Sequence, residues 1–136
     1  SEIEGELGAV GEGRGSAVVA LADENVVGYC VFLYREFVNP EAHRYAETQN
    51  AGQIGNVAVH SEWRKRGIGR GVVTRSLDLL TERGTEEAFI ERHEENMPIA
   101  VLLERTGFVE VATYRDEERR STGTRRTTLL KYDGWD

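Results

Sequence analysis

From Ser16 onward the chain alternates short apolar runs with polar corners. Ser16 to Ala22 (SAVVALA) is apolar and β-branched, Asp23-Glu24-Asn25 is a polar turn, and Val26 to Arg35 (VVGYCVFLYR) is apolar again. That pattern predicts a β-hairpin. Polarity rises from Glu36 to Gly52, where Asn39 and Pro40 break any period, so a long loop is expected there. Gln53 to His60 (QIGNVAVH) reads as a third strand. The basic corner Ser61 to Gly71 (SEWRKRGIGRG) opens an amphipathic helix reaching about Arg83, with Val72, Val73, Ser76, Leu77 and Leu80 on one face. Gly84 stands where a C-terminal cap belongs. Glu87 to His93 is a short fourth strand. Asn96 to Thr106 is a second helix, with Pro98 in its first turn and Gly107 just past its end. Phe108 to Arg115 and Arg125 to Tyr132 close the chain as two strands around a charged turn. Residues 1–15 hold five glycines and little periodicity. They read as a flexible N-terminal lead-in, which leaves 16–136 as a single domain.

Composition narrows the picture in three places. A chain of 136 residues has the length of one domain. Cys30 is the one cysteine, so no internal disulfide forms, and its apolar strand makes it a core residue rather than a nucleophile. No CxxC pair or Cys/His cluster suggests a metal site. No apolar run approaches the ~20 residues of a membrane span, and no basic-then-apolar leader opens the chain, so a cytoplasmic protein without a membrane partner is expected. The net charge of −7 argues against broad nucleic-acid binding. An acidic surface suits a cationic amine or a salty cytoplasm, and charge alone does not choose between them.

Candidate chemistry gathers at the junction of the third strand and the first helix. A helix N-terminus presents unpaired N–H groups and a partial positive charge, which favours an anion. Gly67 and Gly69 remove side chains where a phosphate would approach the backbone. Arg64, Lys65, Arg66 and Arg70 surround that point with four cations, and Trp63 caps the corner. A diphosphate is the guest these residues suit. A Walker A loop needs Gly-Lys-Ser/Thr after its glycines, and Gly69-Arg70-Gly71 does not supply it. A dinucleotide fingerprint starts directly after its strand, whereas six residues, Ser61 to Arg66, separate His60 from Gly67. Glu86 and Glu87 fall near the distance of a ribose-binding acid, so nucleotide binding stays open as a lesser option.

Arg64-Lys65-Arg66-Gly67-Ile68-Gly69 resembles the Arg/Gln-x-x-Gly-x-Gly signature of the GNAT family of N-acetyltransferases. Val57-Ala58-Val59 resembles the V-x-V strand before that signature. Asn96, Leu102, Glu104, Gly107 and Phe108 resemble the family's N…L-Y-E-K-x-G-F helix. The matches run in register from about Gln53 to Phe108. The resemblance implies an α/β (mixed α+β) fold. Its central sheet is mixed and mostly antiparallel, splayed between the third and fourth visible strands, with helices on both faces. It also implies an acetyl-CoA-dependent N-acetyltransferase that moves an acetyl group directly to an amine acceptor, small molecule or protein. In the family the V-x-V backbone pairs with the pantetheine arm and the glycine-loop amides hold the pyrophosphate. Carried over, Val57, Ala58 and Val59 meet the arm, and Lys65, Arg66, Gly67, Ile68, Gly69 and Arg70 form the cradle, with Arg64 beside it. Asn96 hydrogen-bonds the arm from the second helix. The family's usual N-terminal strand and helices are missing ahead of Ser16, which leaves an exposed edge and predicts a homodimer.

Two positions depart from the family. Gly55-Asn56 stand where a catalytic glutamate is often found, and Leu103 replaces the tyrosine that protonates the leaving thiolate. Direct transfer survives without an acid, because a thiol with pKa about 8.5 leaves readily. A base is still wanted. Glu91 and His93 on the fourth strand are the chief candidates, nearest the expected thioester, with Glu36, His43 and Glu47 in or beside the long loop as others. A chain that keeps the cradle but has lost the chemistry would be an acyl-CoA-binding or sensing module.

Overall fold

The computed structural model describes residues 2–10, 14–35 and 38–135. Seven strands form one sheet: β1 (Glu2–Val10), β2 (Gly15–Ala22), β3 (Asn25–Leu33), β4 (Ala51–Val59), β5 (Glu87–His93), β6 (Phe108–Arg115) and β7 (Arg126–Tyr132), in the order β1-β2-β3-β4-β5-β7-β6. Every neighbouring pair is antiparallel except β4 and β5, which run parallel. Three α-helices accompany the sheet, α1 (Pro40–Tyr45), α2 (Ile68–Glu82) and α3 (Met97–Thr106). The mixed α/β class and the split sheet expected from the sequence are both present.

Strand alternation divides the core between two faces. Ala88 and Ile90 of β5 and Leu130 of β7 join Val18, Phe32, Ile54 and the inner face of α2, with Leu103 of α3. Phe89 and Leu129, one residue out of phase, join Val38, Ala51 and Ala42 of α1 on the opposite face. Helices therefore cover both faces, as expected. Cys30 is fully buried in the larger cluster. Burial pushes its thiol up to about 12, partly offset by its hydrogen bond with Ser76, so it is inert core.

Two expectations need correction. Residues 2–10 are not a lead-in without structure: β1 pairs antiparallel along β2, from Glu2 opposite Leu21 to Val10 opposite Gly15. Glycine weakens a strand's local preference, but pairing with a neighbour supplies the backbone bonds regardless. A strand therefore does precede Ser16, and β1, not the first hairpin, forms that edge of the sheet. The stretch from Glu36 to Gly52 is likewise not all loop, since it holds α1. Asn39 caps that helix by accepting from the Glu41 N–H (3.0 Å), and Pro40 occupies its first turn.

Candidate active site

The parallel pair β4–β5 lasts for four residues, from Ala51 opposite Glu87 to Ile54 opposite Ile90. Beyond Ile54 the strands part. A bulge at Gly55 shifts the register of β4 against β3, and from Asn56 to Val59 β4 is paired on its β3 side only. Burial changes at the same place: residues 51–54 are buried, Gly55 and Asn56 exposed, and Val57 to Val59 half-buried. Five residues of strand leave about 17 Å of backbone edge open to a ligand. Val57 and Val59 also pack against the larger core, so this edge is held rigidly.

The mouth of the split lies at the first turn of α2. A 3₁₀ turn, Ser61–Trp63, follows β4, and the chain then reverses through Lys65 (φ 64°) and Gly67 (φ 81°). Gly67 caps α2 in the left-handed region without a side-chain hydrogen bond, leaving the first-turn N–H groups outward. A Cβ on Gly67 would meet nothing within 4 Å, so the glycine serves backbone conformation and open space. Gly69 has a different reason from the one its spacing suggested. A Cβ there would lie 2.9 Å from Leu102 of α3 and 3.5 Å from Val59, so Gly69 lets α2, α3 and β4 approach. Arg64, Lys65, Arg66 and Arg70 are all exposed, and none forms an ion pair among the described residues. Arg66 lies over the ring of Trp63, 4.7 Å from its centre, which fixes one cation of the corner. Across the mouth Asn96 caps α3, its Oδ1 accepting from the Ile99 N–H (3.3 Å).

The closed end of the split, the fork, is polar on the α1 face. Glu91 is the first residue of β5 beyond the last β4 pair. Its Oε2 accepts from Asn39 Nδ2 (2.8 Å) and the Tyr114 hydroxyl (3.4 Å), and its Oε1 pairs with Arg119. The Asn39 N–H in turn donates to Gln53 Oε1 of β4 (2.7 Å), so one residue ties both diverging strands. Burial and then the Glu91 charge push the Tyr114 phenol up to about 12, so it stays protonated and donates. Sequence reasoning found Glu91 but missed Asn39, Gln53, Tyr114 and Arg119. Their positions, far apart in the chain, carry no local signal; only the Asn39-Pro40 pair hinted at a cap.

The other base candidates are placed as follows. His93 Nδ1 accepts from the Glu95 N–H (3.0 Å), which puts the ring proton on Nε2, where it is given to the Thr122 carbonyl (2.9 Å). Both ring nitrogens are engaged in holding a turn. Glu47 is exposed near Lys131 (3.7 Å) and Glu87, at the paired end of β5 away from the split. His43 is exposed on α1. Glu36 lies outside the described residues. Leu103 is fully buried in the core, so a tyrosine there would displace packing. Two open cavities of about 220 and 260 Å³ share Tyr34 and Arg83 near the C-terminal end of α2. They are remote from the split, and an extended ligand lies along a strand edge rather than in a pocket. Among the described residues no group of acids, histidines and cysteine could hold a metal ion, and no helix is long and apolar enough to cross a membrane.

The parallel pair thus splits toward a helix N-terminus that no side chain caps and that four exposed cations surround. The chain belongs to the acetyltransferase (GNAT) family, whose model matches residues 3–108. Solved structures of acetyltransferases share the fold. An IAA acetyltransferase from Bacillus cereus superposes with a TM-score of 0.69 at 17% identity, covering 88% of this chain and 77% of that one. A Bacillus subtilis acetyltransferase in complex with CoA gives 0.69 at 21% identity, covering 88% and 77%. The ribosomal-protein-S18-alanine N-acetyltransferase of Escherichia coli gives 0.69 at 19%, covering 90% and 70%. Among such structures the chain spans 59% to 77% of the relative's length. No protein with a curated description matches.

Proposed function

We propose that the chain is an acetyl-CoA-dependent N-acetyltransferase that moves an acetyl group directly to an amine. The observation that carries this is the pairing of β4 with β5, which stops at Ile54 and Ile90 and leaves one strand edge open between the fork and the mouth. The residues fit the group. Gly67 offers space and outward N–H groups for a pyrophosphate, Arg64, Lys65, Arg66 and Arg70 balance its charge, and the backbone from Val57 to Val59 pairs with a pantetheine arm. Asn96 Nδ2 steadies that arm from α3. When bound, acetyl-CoA supplies the activated acetyl group. The chain's own part is to hold both reactants in line and keep the fork ordered through Asn39, Gln53 and Glu91. Asn39, Tyr114 and Arg119 already engage both oxygens of Glu91, so the acceptor enters the chemical step as free amine or loses its proton to water. The CoA-bound B. subtilis structure supports the ligand, and the E. coli relative, a ribosomal-protein-S18-alanine N-acetyltransferase, is one with a protein acceptor.

A second reading, a CoA-binding module without transfer, is favoured by the same engagement of Glu91 and of both His93 nitrogens. One experiment separates them. The protein is incubated with acetyl-CoA and a panel of small amines and peptides, with free thiol and product mass as readouts. Thiol release matched by an acetylated product is expected. A melting shift with acetyl-CoA but no product from any amine would establish the silent module.

A further inference from the structure

The connection between β6 and β7, residues 116–125, supplies Arg119 to Glu91, and it is fixed by bonds that do not involve Glu91. His93 Nε2 donates to the Thr122 carbonyl, the Thr124 N–H donates to Glu95 Oε1 (2.6 Å), and Thr124 Oγ1 donates to Glu94 Oε2 (2.7 Å). At the base of the connection Thr127 Oγ1 donates to Asp116 Oδ2 (2.7 Å). The contact between Arg119 and Glu91 is therefore presented by a clasped segment rather than a loose surface arm.

Its burial is lopsided. The Glu91 side chain is 15% exposed and that of Arg119 42% exposed, so the guanidinium covers the carboxylate from the solvent side. Glu91's other two donors, Asn39 and Tyr114, are uncharged and hold the carboxylate in place whether or not Arg119 is present. Arg119 also has a second acid within reach, with its Nε 3.9 Å from Asp116 Oδ2. One cation can thus replace another on Glu91 without a net change of buried charge, while the arginine keeps a partner.

We propose that Arg119 occupies the seat of a cationic group of the acceptor, an ammonium or guanidinium, which displaces it from Glu91 onto Asp116. This deepens the acetyltransferase reading and rests on it, because the seat lies at the fork where the acyl end of the arm would reach. It assigns the acceptor to the cationic amines and makes Arg119 a specificity residue that sets a threshold for them.

The test is calorimetric titration of the full chain with spermidine as probe, with and without excess CoA, for the parent, Arg119→Gln and Glu91→Gln. Melting curves check folding; Glu91→Gln is isosteric, and Arg119→Gln shortens a part-exposed side chain. Arg119→Gln should bind spermidine roughly three- to tenfold more tightly, since a competing cation is gone, and Glu91→Gln should weaken it by at least as much. Equal or weaker binding by Arg119→Gln, or parent-like binding by Glu91→Gln, overturns the proposal. Glutarate bound by the parent and lost in Arg119→Gln also overturns it, by making Arg119 an anchor for an anionic acceptor. CoA binding is scored separately through its melting shift. A normal CoA shift with a failed amine arm sinks the seat alone, and an absent CoA shift with the amine response intact sinks the acetyl-CoA reading alone.

Discussion

The two ends of α2 start from similar residues and finish differently. Gly67 before the helix and Gly84 after it both sit in the left-handed region, at φ 81° and 84°, and a Cβ on either would meet nothing within 4 Å. At the C-terminal end the loose carbonyls are taken up at once: the Gly84 N–H donates to Thr81 (2.9 Å) and the Thr85 N–H to Leu80 (3.0 Å), a complete Schellman closure. At the N-terminal end no side chain caps the helix, and the four cations around it have no acidic partner among the described residues. A fold satisfies its own polar groups where nothing else will. An end left open and ringed with charge is where the proposed acetyl-CoA would supply the missing partners.

Breaking this asymmetry gives the largest expected effect. Gly67→Val and Gly84→Val carry the same backbone strain, about 1–2 kcal/mol each, so each should lower the melting temperature by several degrees. Only Gly67→Val should also abolish most of the melting shift produced by acetyl-CoA, because only there does a side chain enter the phosphate's approach. Equal acetyl-CoA shifts in the two variants would show that the open end is not the binding end.

Glu87, shortly past the closed end, sharpens the contrast from the other side. It is 4% exposed; its Oε1 accepts from the Glu47 and Thr48 N–H groups (2.8 and 2.9 Å) and its Oε2 forms an ion pair with Lys131, 2.6 Å away. Burial alone would push its carboxyl up, but the Lys131 bond, the two N–H bonds and the Lys131 charge together hold it below the usual 4.5. A depressed value means stability that is complete above 4.5 and is lost as pH falls through the folded value. Glu87→Gln should therefore cost about 2 kcal/mol at neutral pH, in chemical denaturation. The gap to the parent should close as the solution is acidified below 4.5. Its acetyl-CoA shift should match the parent's, and a gap that widens with acid would contradict the sign of this effect.

How much the sequence disclosed follows the same divide. Caps and helix ends are local, so Gly67, Gly84 and Gly107 could be placed from neighbouring residues, and the family match fixed the split between β4 and β5. What depended on distant partners was hidden. β1 looked structureless because its glycines say little until β2 lies alongside, and Gly69 looked like phosphate clearance until Leu102 was seen against it. Glu91 was legible as a carboxylate near the fork, but not as one already held by Asn39, Tyr114 and Arg119, from 23 to 52 residues away. It is that holding which the proposed seat for a cationic acceptor rests on.

The central claim is that one ligand spans the split from the fork to the open end of α2. Amide hydrogen exchange with and without acetyl-CoA tests it most directly. Two stretches should slow together on binding, the β4 edge from Gly55 to Val59 and the first turn of α2 from Ile68 to Arg70. Residues 84 and 85, at the closed end of the same helix, should exchange as before. Protection confined to the closed end, or absent from both open stretches while acetyl-CoA is bound, would contradict the account.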